Sequence, residues 1–175
     1  MREHQRYFAI EDADGGLLPS FIAVNNTRPR DLAVVAAGHE KVLRARLADA
    51  RFFLTEDLKR PLIDYLEDLK QVTYHAKLGS SFQKVERFSA LAVSIAQSLA
   101  PELARKVERA ARLAKCDLVT EMVGEFPTLQ GVVGAEYARR AGEDPQTAVA
   151  VAEHYMPTAA GGELRLDVLR MTKSR

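Results

Sequence analysis

Three residues in the second half of the chain are of the types that bind metals and transfer protons. They are Cys116 and Asp117, which are adjacent, and His154. Imidazole and carboxylate groups together can bind a divalent metal and activate a water molecule on it. A catalytic metal site usually has three or more protein ligands, and one carboxylate with one histidine falls short of that number. We therefore expect Cys116 to be a small buried apolar residue and Asp117 to hydrogen-bond nearby backbone or a neighbouring cation.

A second candidate site is a set of basic residues in the segment 38–54. Lys41, Arg44 and Arg51 fall within about a quarter-turn of one another at ~100° per residue, so they could form a basic strip opposite the leucine stripe of the same helix. Such a strip could contact phosphates. Charge strips are common on amphipathic helices, however, which favours the alternative of a solvated face with pairs such as Glu40 with Arg44.

The elements that must position these residues are predicted to be mainly helical. Residues 5–10 and 17–24 are rich in β-branched and aromatic side chains and flank a turn-rich segment, which predicts a β-hairpin. From residue 38 onward apolar residues recur at helical spacing. We predict a helical bundle preceded by a short β-hairpin that remains from an upstream sheet-containing domain. The expected core positions include Leu43, Leu47, Leu91, Ile95, Val107 and Leu118.

Two helix starts carry strong local signals. Ser80 and Gln83 have the spacing of a capping box. The pair Asp144 and Pro145 combines a preferred N-cap residue with a proline at the first helical position.

The composition of the 175-residue chain is that of an ordinary globular protein, with 47% hydrophobic and 28% charged residues. No apolar run approaches the roughly 20 residues of a membrane helix, so we expect no membrane association. The single cysteine excludes an intramolecular disulfide and suits a reducing cytoplasm. The net charge of +1 means that any nucleic-acid contact must be local.

Several long blocks of the chain carry a family resemblance. Residues 114–137 read AKCDLVTEMVGEFPTLQGVVGAEY, residues 38–58 read GHEKVLRARLADARFFLTEDL, and residues 76–92 read AKLGSSFQKVERFSALA. Together with GEDPQTAVAVAEHYMP at residues 142–157, they resemble the β subunit of the bacterial two-subunit glycyl-tRNA synthetase. The resemblance runs without a gap from Met1 to about Gly162.

This resemblance implies a function within a larger enzyme, a glycine–tRNA ligase. In that family the separate α subunit activates glycine with ATP, while the β subunit mainly engages tRNA. The expected partners are therefore the α subunit and tRNA(Gly), and the chain is expected to be non-catalytic alone and to hold no cofactor. We also expect it to be a domain excised from a longer cytoplasmic β subunit that continues into a helical anticodon-binding domain.

The helical part also resembles, more distantly, the HD superfamily of metal-dependent phosphohydrolases. Ala90 stands where the first histidine of that pattern is expected, and Cys116 replaces the histidine of the His-Asp pair. Asp117 is kept, and His154 could match a later histidine. The resemblance therefore implies a degenerate HD-like domain without a metal.

The expected domain organisation follows from both resemblances. Residues 1–36 would end the upstream domain, residues 37–160 would form the HD-like helical domain, and residues 161–175 would be a tail in which the last aspartate of an HD pattern would fall. Two alternatives remain, an active HD-type phosphohydrolase and a stand-alone helical interaction domain.

Overall fold

The computed structural model describes residues 6–157, which are mainly helical with a two-stranded hairpin at the start. This confirms the predicted fold class. The strands are β1 (Tyr7–Glu11), β2 (Leu17–Ala23), β3 (Thr73–His75) and β4 (Gly79–Ser80). The α-helices are α1 (Leu32–Asp57), α2 (Ser81–Leu99), α3 (Ala104–Leu113), α4 (Glu121–Glu125), α5 (Val132–Arg140) and α6 (Pro145–Glu153). The 3₁₀-helices are Leu62–Gln71, Pro101–Leu103, Cys116–Val119 and Pro127–Leu129.

The chain divides into two compact units, Met1–Asp49 and Ala50–Arg175. The expected tail at residues 161–175 lies outside the described residues, so that boundary stays a prediction. Among the described residues, no helix has the length and apolar character needed to cross a membrane.

In the first unit, β1 and β2 pair antiparallel, with Tyr7 opposite Ala23 and Ala9 opposite Phe21. The predicted hairpin is therefore confirmed. The Tyr7 hydroxyl hydrogen-bonds Nδ1 of His39 on α1 at 2.8 Å, which fastens the hairpin to the helix.

Helix α1 begins at Leu32, six residues before the predicted start at residue 38. The reason is local, because Oδ1 of Asp31 accepts hydrogen bonds from the backbone N–H groups of Ala33 and Val34 and so caps the helix. Leu43 is half-buried, as expected, but the prediction for Leu47 was wrong, since that side chain is 59% exposed.

The second unit is built around the 3₁₀-helix Leu62–Gln71, which the sequence analysis did not single out. Leu62, Tyr65, Leu66 and Leu69 of this helix are all buried in one hydrophobic cluster. The short strands β3 and β4 form a second hairpin that leads directly into α2.

Helix α2 starts with the predicted capping box, in which the Gln83 N–H donates to Oγ of Ser80 and the Ser80 N–H donates to Oε1 of Gln83. Its buried residues are Ser81, Val85, Ser89 and Ala96.

The predictions for Leu91 and Ile95 as core residues were wrong, because these side chains are 62% and 50% exposed. Helix α2 has apolar residues on more than one face, and α3 packs against it. A face with small residues lets two helix backbones approach more closely than a face of leucine and isoleucine does.

The remaining helices agree with the sequence signals. Asp144 caps α6 by accepting a hydrogen bond from the Gln146 N–H, and Pro145 occupies the first turn. Helix α5 packs against α6. The expected core residues Val107 and Leu118 are half-buried.

Candidate functional site

Asp117 lies on the 3₁₀-helix Cys116–Val119 and is fully buried. Its Oδ2 accepts a hydrogen bond from the Gly131 N–H at 2.6 Å, as the sequence led us to expect. An added Cβ at Gly134 would come within 3.0 Å of the same oxygen, so the carboxylate packs directly against α5. Burial raises the pKa of Asp117, and the hydrogen bonds from the Gly131 and Gly134 amides partly oppose that shift.

Cys116 is buried beside Asp117, again as expected. Its Sγ–H donates to the backbone oxygen of Arg112 at 3.2 Å. Burial raises the pKa of the thiol to about 12, and the nearby Asp117 charge adds to the shift. The thiolate is the form that binds metals and attacks carbonyls. Cys116 is therefore a neutral packing residue at neutral pH.

His154 follows the last turn of α6 and lies in the same unit. Its Nδ1–H donates to the backbone oxygen of Val151 at 2.6 Å, while Nε2 is buried and has no partner within the described residues. Burial lowers the pKa of His154 to about 4, and the charges of Lys115 and Lys84 lower it further. The imidazole is therefore neutral at physiological pH.

Ala90, which the HD resemblance places where the first histidine would be, is exposed on α2. Among residues 6–157, no cluster of three or more histidine, cysteine, aspartate or glutamate side chains is placed to hold a metal ion. What this region does contain is a buried carboxylate bound to backbone and a neutral histidine with one unused nitrogen.

Asp57, at the end of α1, is a polar residue that the sequence analysis missed. Its carboxylate is buried and accepts hydrogen bonds from the backbone N–H groups of Glu121 and Met122 and from the Tyr137 hydroxyl. The Tyr65 hydroxyl donates to its backbone oxygen at 3.0 Å. With every carboxylate oxygen engaged by protein donors, Asp57 is placed to hold the fold together.

The three residues of the predicted basic strip, Lys41, Arg44 and Arg51, are all exposed on α1. The expectation that they lie opposite the leucine stripe was wrong for Arg44, which lines a groove beside β2 together with Leu43 and Leu47. At ~100° per residue Leu47, three positions after Arg44, lies only about 60° around the helix from it, so the two side chains share one side of α1.

Comparison with known proteins decides the family. The family model described as "Glycyl-tRNA synthetase beta subunit" matches residues 1–169. The chain belongs to this family. It is 60% identical over 164 residues to the glycine–tRNA ligase β subunit of Geotalea uraniireducens (strain Rf4), and this match covers 94% of the chain and 24% of the relative.

Two further curated relatives show the same extent of similarity. The glycine–tRNA ligase β subunit of Syntrophotalea carbinolica is 59% identical over 167 residues, covering 95% of the chain and 24% of the relative. That of Syntrophus aciditrophicus is 56% identical over 164 residues, covering 94% and 24% respectively. The chain therefore spans about a quarter of the length of the curated relatives it matches.

Proposed function

We propose that the chain acts within a glycine–tRNA ligase as part of the β subunit, where it serves as scaffold and tRNA-contact region. The observation that carries the proposal is identity of nearly 60% to β subunits over 94% of the chain. In this proposal the α subunit activates glycine with ATP, and the β subunit helps to present tRNA(Gly). The enzyme works in the cytoplasm.

The exposed cations of α1 support the tRNA-contact part of this proposal. Lys41, Arg44 and Arg51 lie on one helix and are open to solvent, which is what a phosphate-contacting surface requires. Lysine and arginine contacts to phosphates position a nucleic acid and need no catalytic group of their own.

The test compares three samples: the 175-residue chain alone, the full β subunit that contains it, and the full β subunit co-expressed with its α subunit. We expect the α and β subunits to copurify, and we expect glycine-dependent pyrophosphate exchange and glycylation of tRNA(Gly) from their complex. The chain alone should show neither activity. Failure of the subunits to copurify, or glycine-dependent ATP turnover by the chain alone, would refute the proposal.

A further inference from the structure

The second unit contains a cavity of about 440 Å³ between α2, α3 and the end of α6. Its volume is within the ~300–1,000 Å³ range of small-molecule sites. The lining residues are mainly small and apolar, and they comprise Lys84, Phe88, Ala92, Val107, Ala110, Ala111, Ala114, Lys115, Ala150 and His154.

The apolar part of the cavity suits a flat ring. Alanine side chains from three helices contribute much of the wall, and Phe88 adds an aromatic ring. Small side chains let a planar ligand approach the helices closely. An aromatic ring can stack on any nucleobase, because every base has a flat π-face.

Two lysines give the cavity its charge. Lys84 Nζ lies 3.9 Å from the centre of the Tyr74 ring, and Lys115 Nζ lies 3.5 Å from the centre of the Tyr155 ring. No lining residue is acidic, and neither lysine belongs to an ion pair among residues 6–157. Aromatic faces hold both ammonium groups in place but leave their charges unneutralised.

The surroundings of Lys115 disfavour its positive charge. Burial lowers the pKa of Lys115 to about 8, and the like charge of Lys84 contributes, while Asp117 has the opposite effect. An anion bound between the two lysines would relieve this repulsion.

His154 adds a hydrogen-bond acceptor to the same cavity. Its Nδ1–H donates to the Val151 carbonyl, so in the neutral ring Nε2 is an acceptor, and among residues 6–157 this buried atom has no hydrogen-bond partner. Buried polar atoms normally have partners, and an amino or hydroxyl group on a ligand would supply one.

We propose that this cavity binds the phosphate and base of a mononucleotide, either free or at the end of a nucleic-acid strand. Lys84 and Lys115 hold the phosphate, the base lies against the alanines and Phe88, and His154 Nε2 accepts a hydrogen bond from the ligand. The site binds without a metal and performs no chemistry. The inference goes beyond the proposed function, because free AMP should bind to the chain whether or not the cations of α1 contact tRNA.

The experiment is calorimetric titration of the 175-residue chain with AMP, adenosine and inorganic phosphate. AMP should bind saturably, while adenosine, which lacks the phosphate, and phosphate, which lacks the base, should each bind at least about tenfold more weakly. Lys84→Gln and Lys115→Gln should each weaken AMP binding by roughly tenfold or more, which is the effect of losing one charge-assisted hydrogen bond. Arg87→Gln, an exposed cation on α2, is the matched control and should leave AMP affinity unchanged.

Two further measurements keep the test decisive if a lysine variant is poorly folded. Ala111→Met should fill the cavity and abolish AMP binding. The NMR resonances of the His154 ring should shift when AMP is added but not when inorganic phosphate is added. A trinucleotide that ends in a phosphate should compete with AMP if the natural source is a strand end and should not compete if it is a free nucleotide. Absence of saturable AMP binding at millimolar concentration would overturn the proposal, as would equal affinity for AMP and inorganic phosphate or unchanged AMP affinity in both lysine variants.

Discussion

The Tyr137 hydroxyl donates a hydrogen bond of 2.8 Å to Oδ2 of Asp57, although the two residues are 80 positions apart. The same carboxylate accepts the Glu121 N–H at 2.9 Å and the Met122 N–H at 3.0 Å, which are the first amides of α4. One buried side chain therefore joins the end of α1 to the start of α4 and the middle of α5.

We predict that Tyr137→Phe lowers the free energy of unfolding by about 1–3 kcal/mol, because it removes one donor from a buried carboxylate. Asp57→Ala should cost more, since it leaves the Tyr137 hydroxyl and two helix-terminal amides without their acceptor. Urea unfolding of the chain measures both. The control is Tyr74→Phe, at a residue that is 46% exposed, with an expected change within ~0.5 kcal/mol. If Tyr137→Phe behaved like the control, the hydrogen bond would contribute nothing to stability.

The second prediction contrasts two leucines that the sequence pattern does not distinguish. Leu113→Ala should cost roughly 2–5 kcal/mol, because Leu113 is 0% exposed and its loss leaves a cavity. Leu91→Ala should change the free energy of unfolding by less than about 0.5 kcal/mol, because Leu91 is 62% exposed. Denaturant midpoints of both variants give the comparison. A loss of several kcal/mol of unfolding free energy from Leu91→Ala would instead place that residue in the core.

These contrasts show which parts of the fold the sequence could predict. Helix starts at Ser80 and Asp144 were predictable because a cap depends on residues two or three positions away. The start of α1 at Leu32 has the same kind of signal in Asp31, but apolar periodicity does not reveal a capping residue. The buried face of α2 was not predictable, because periodicity identifies a helix but cannot choose between two apolar faces without the neighbouring helix.

In the candidate site, too, some features could be predicted from the sequence and others could not. Burial of Cys116 was predictable because free cysteines behave as small apolar residues. Backbone hydrogen bonding of Asp117 was predictable because a buried carboxylate without a partner is costly. The cluster at Asp57 and the charged cavity at Lys84 and Lys115 could not be predicted, because their partners are distant in the chain. No local spacing places Tyr155 against Lys115, for example, and only the folded chain brings them together.

The third prediction concerns pH. The pKa of His154 is lowered from its ordinary 6.5 to about 4. Between these values the unfolded chain binds a proton at His154 and the folded chain does not. The neutral ring therefore contributes fully to the free energy of unfolding above pH 6.5. This contribution is lost as the pH falls toward 4, and the loss in unfolding free energy is no more than about 3 kcal/mol.

The measurement is urea unfolding between pH 7 and pH 4 for the parent chain and His154→Gln. Lys115, Lys84 and Asp117 also influence this region, but they remain in both proteins, so the difference between the two curves isolates His154. We expect the parent to lose more stability than the variant on acidification. His75→Gln, at an exposed histidine, is the control and should keep the pH dependence of the parent. Parallel curves for the parent and His154→Gln would show that the ring is not desolvated.

The last prediction concerns tRNA binding by the full β subunit, paired with its α subunit. Replacing Lys41, Arg44 and Arg51 together with alanine should weaken binding of tRNA(Gly), because each cation is exposed on α1 and open to a phosphate. Each neutralised phosphate contributes roughly 0.7–0.9 to the slope of log affinity against log salt, so the slope should flatten by up to about three units. Binding titrations at several salt concentrations measure both quantities.

The control replaces the same number of exposed cations elsewhere, namely Lys77, Arg87 and Arg105. Both triple variants lose three positive charges, so a general electrostatic effect would change their salt slopes equally, whereas direct phosphate contacts on α1 would change only the first. Formation of glycyl-adenylate should remain intact in both, since activation is proposed to belong to the α subunit. Equal slopes for the two variants, or an unchanged slope in the α1 variant, would mean that Lys41, Arg44 and Arg51 are only a solvated helix face and that tRNA contacts another surface of the subunit.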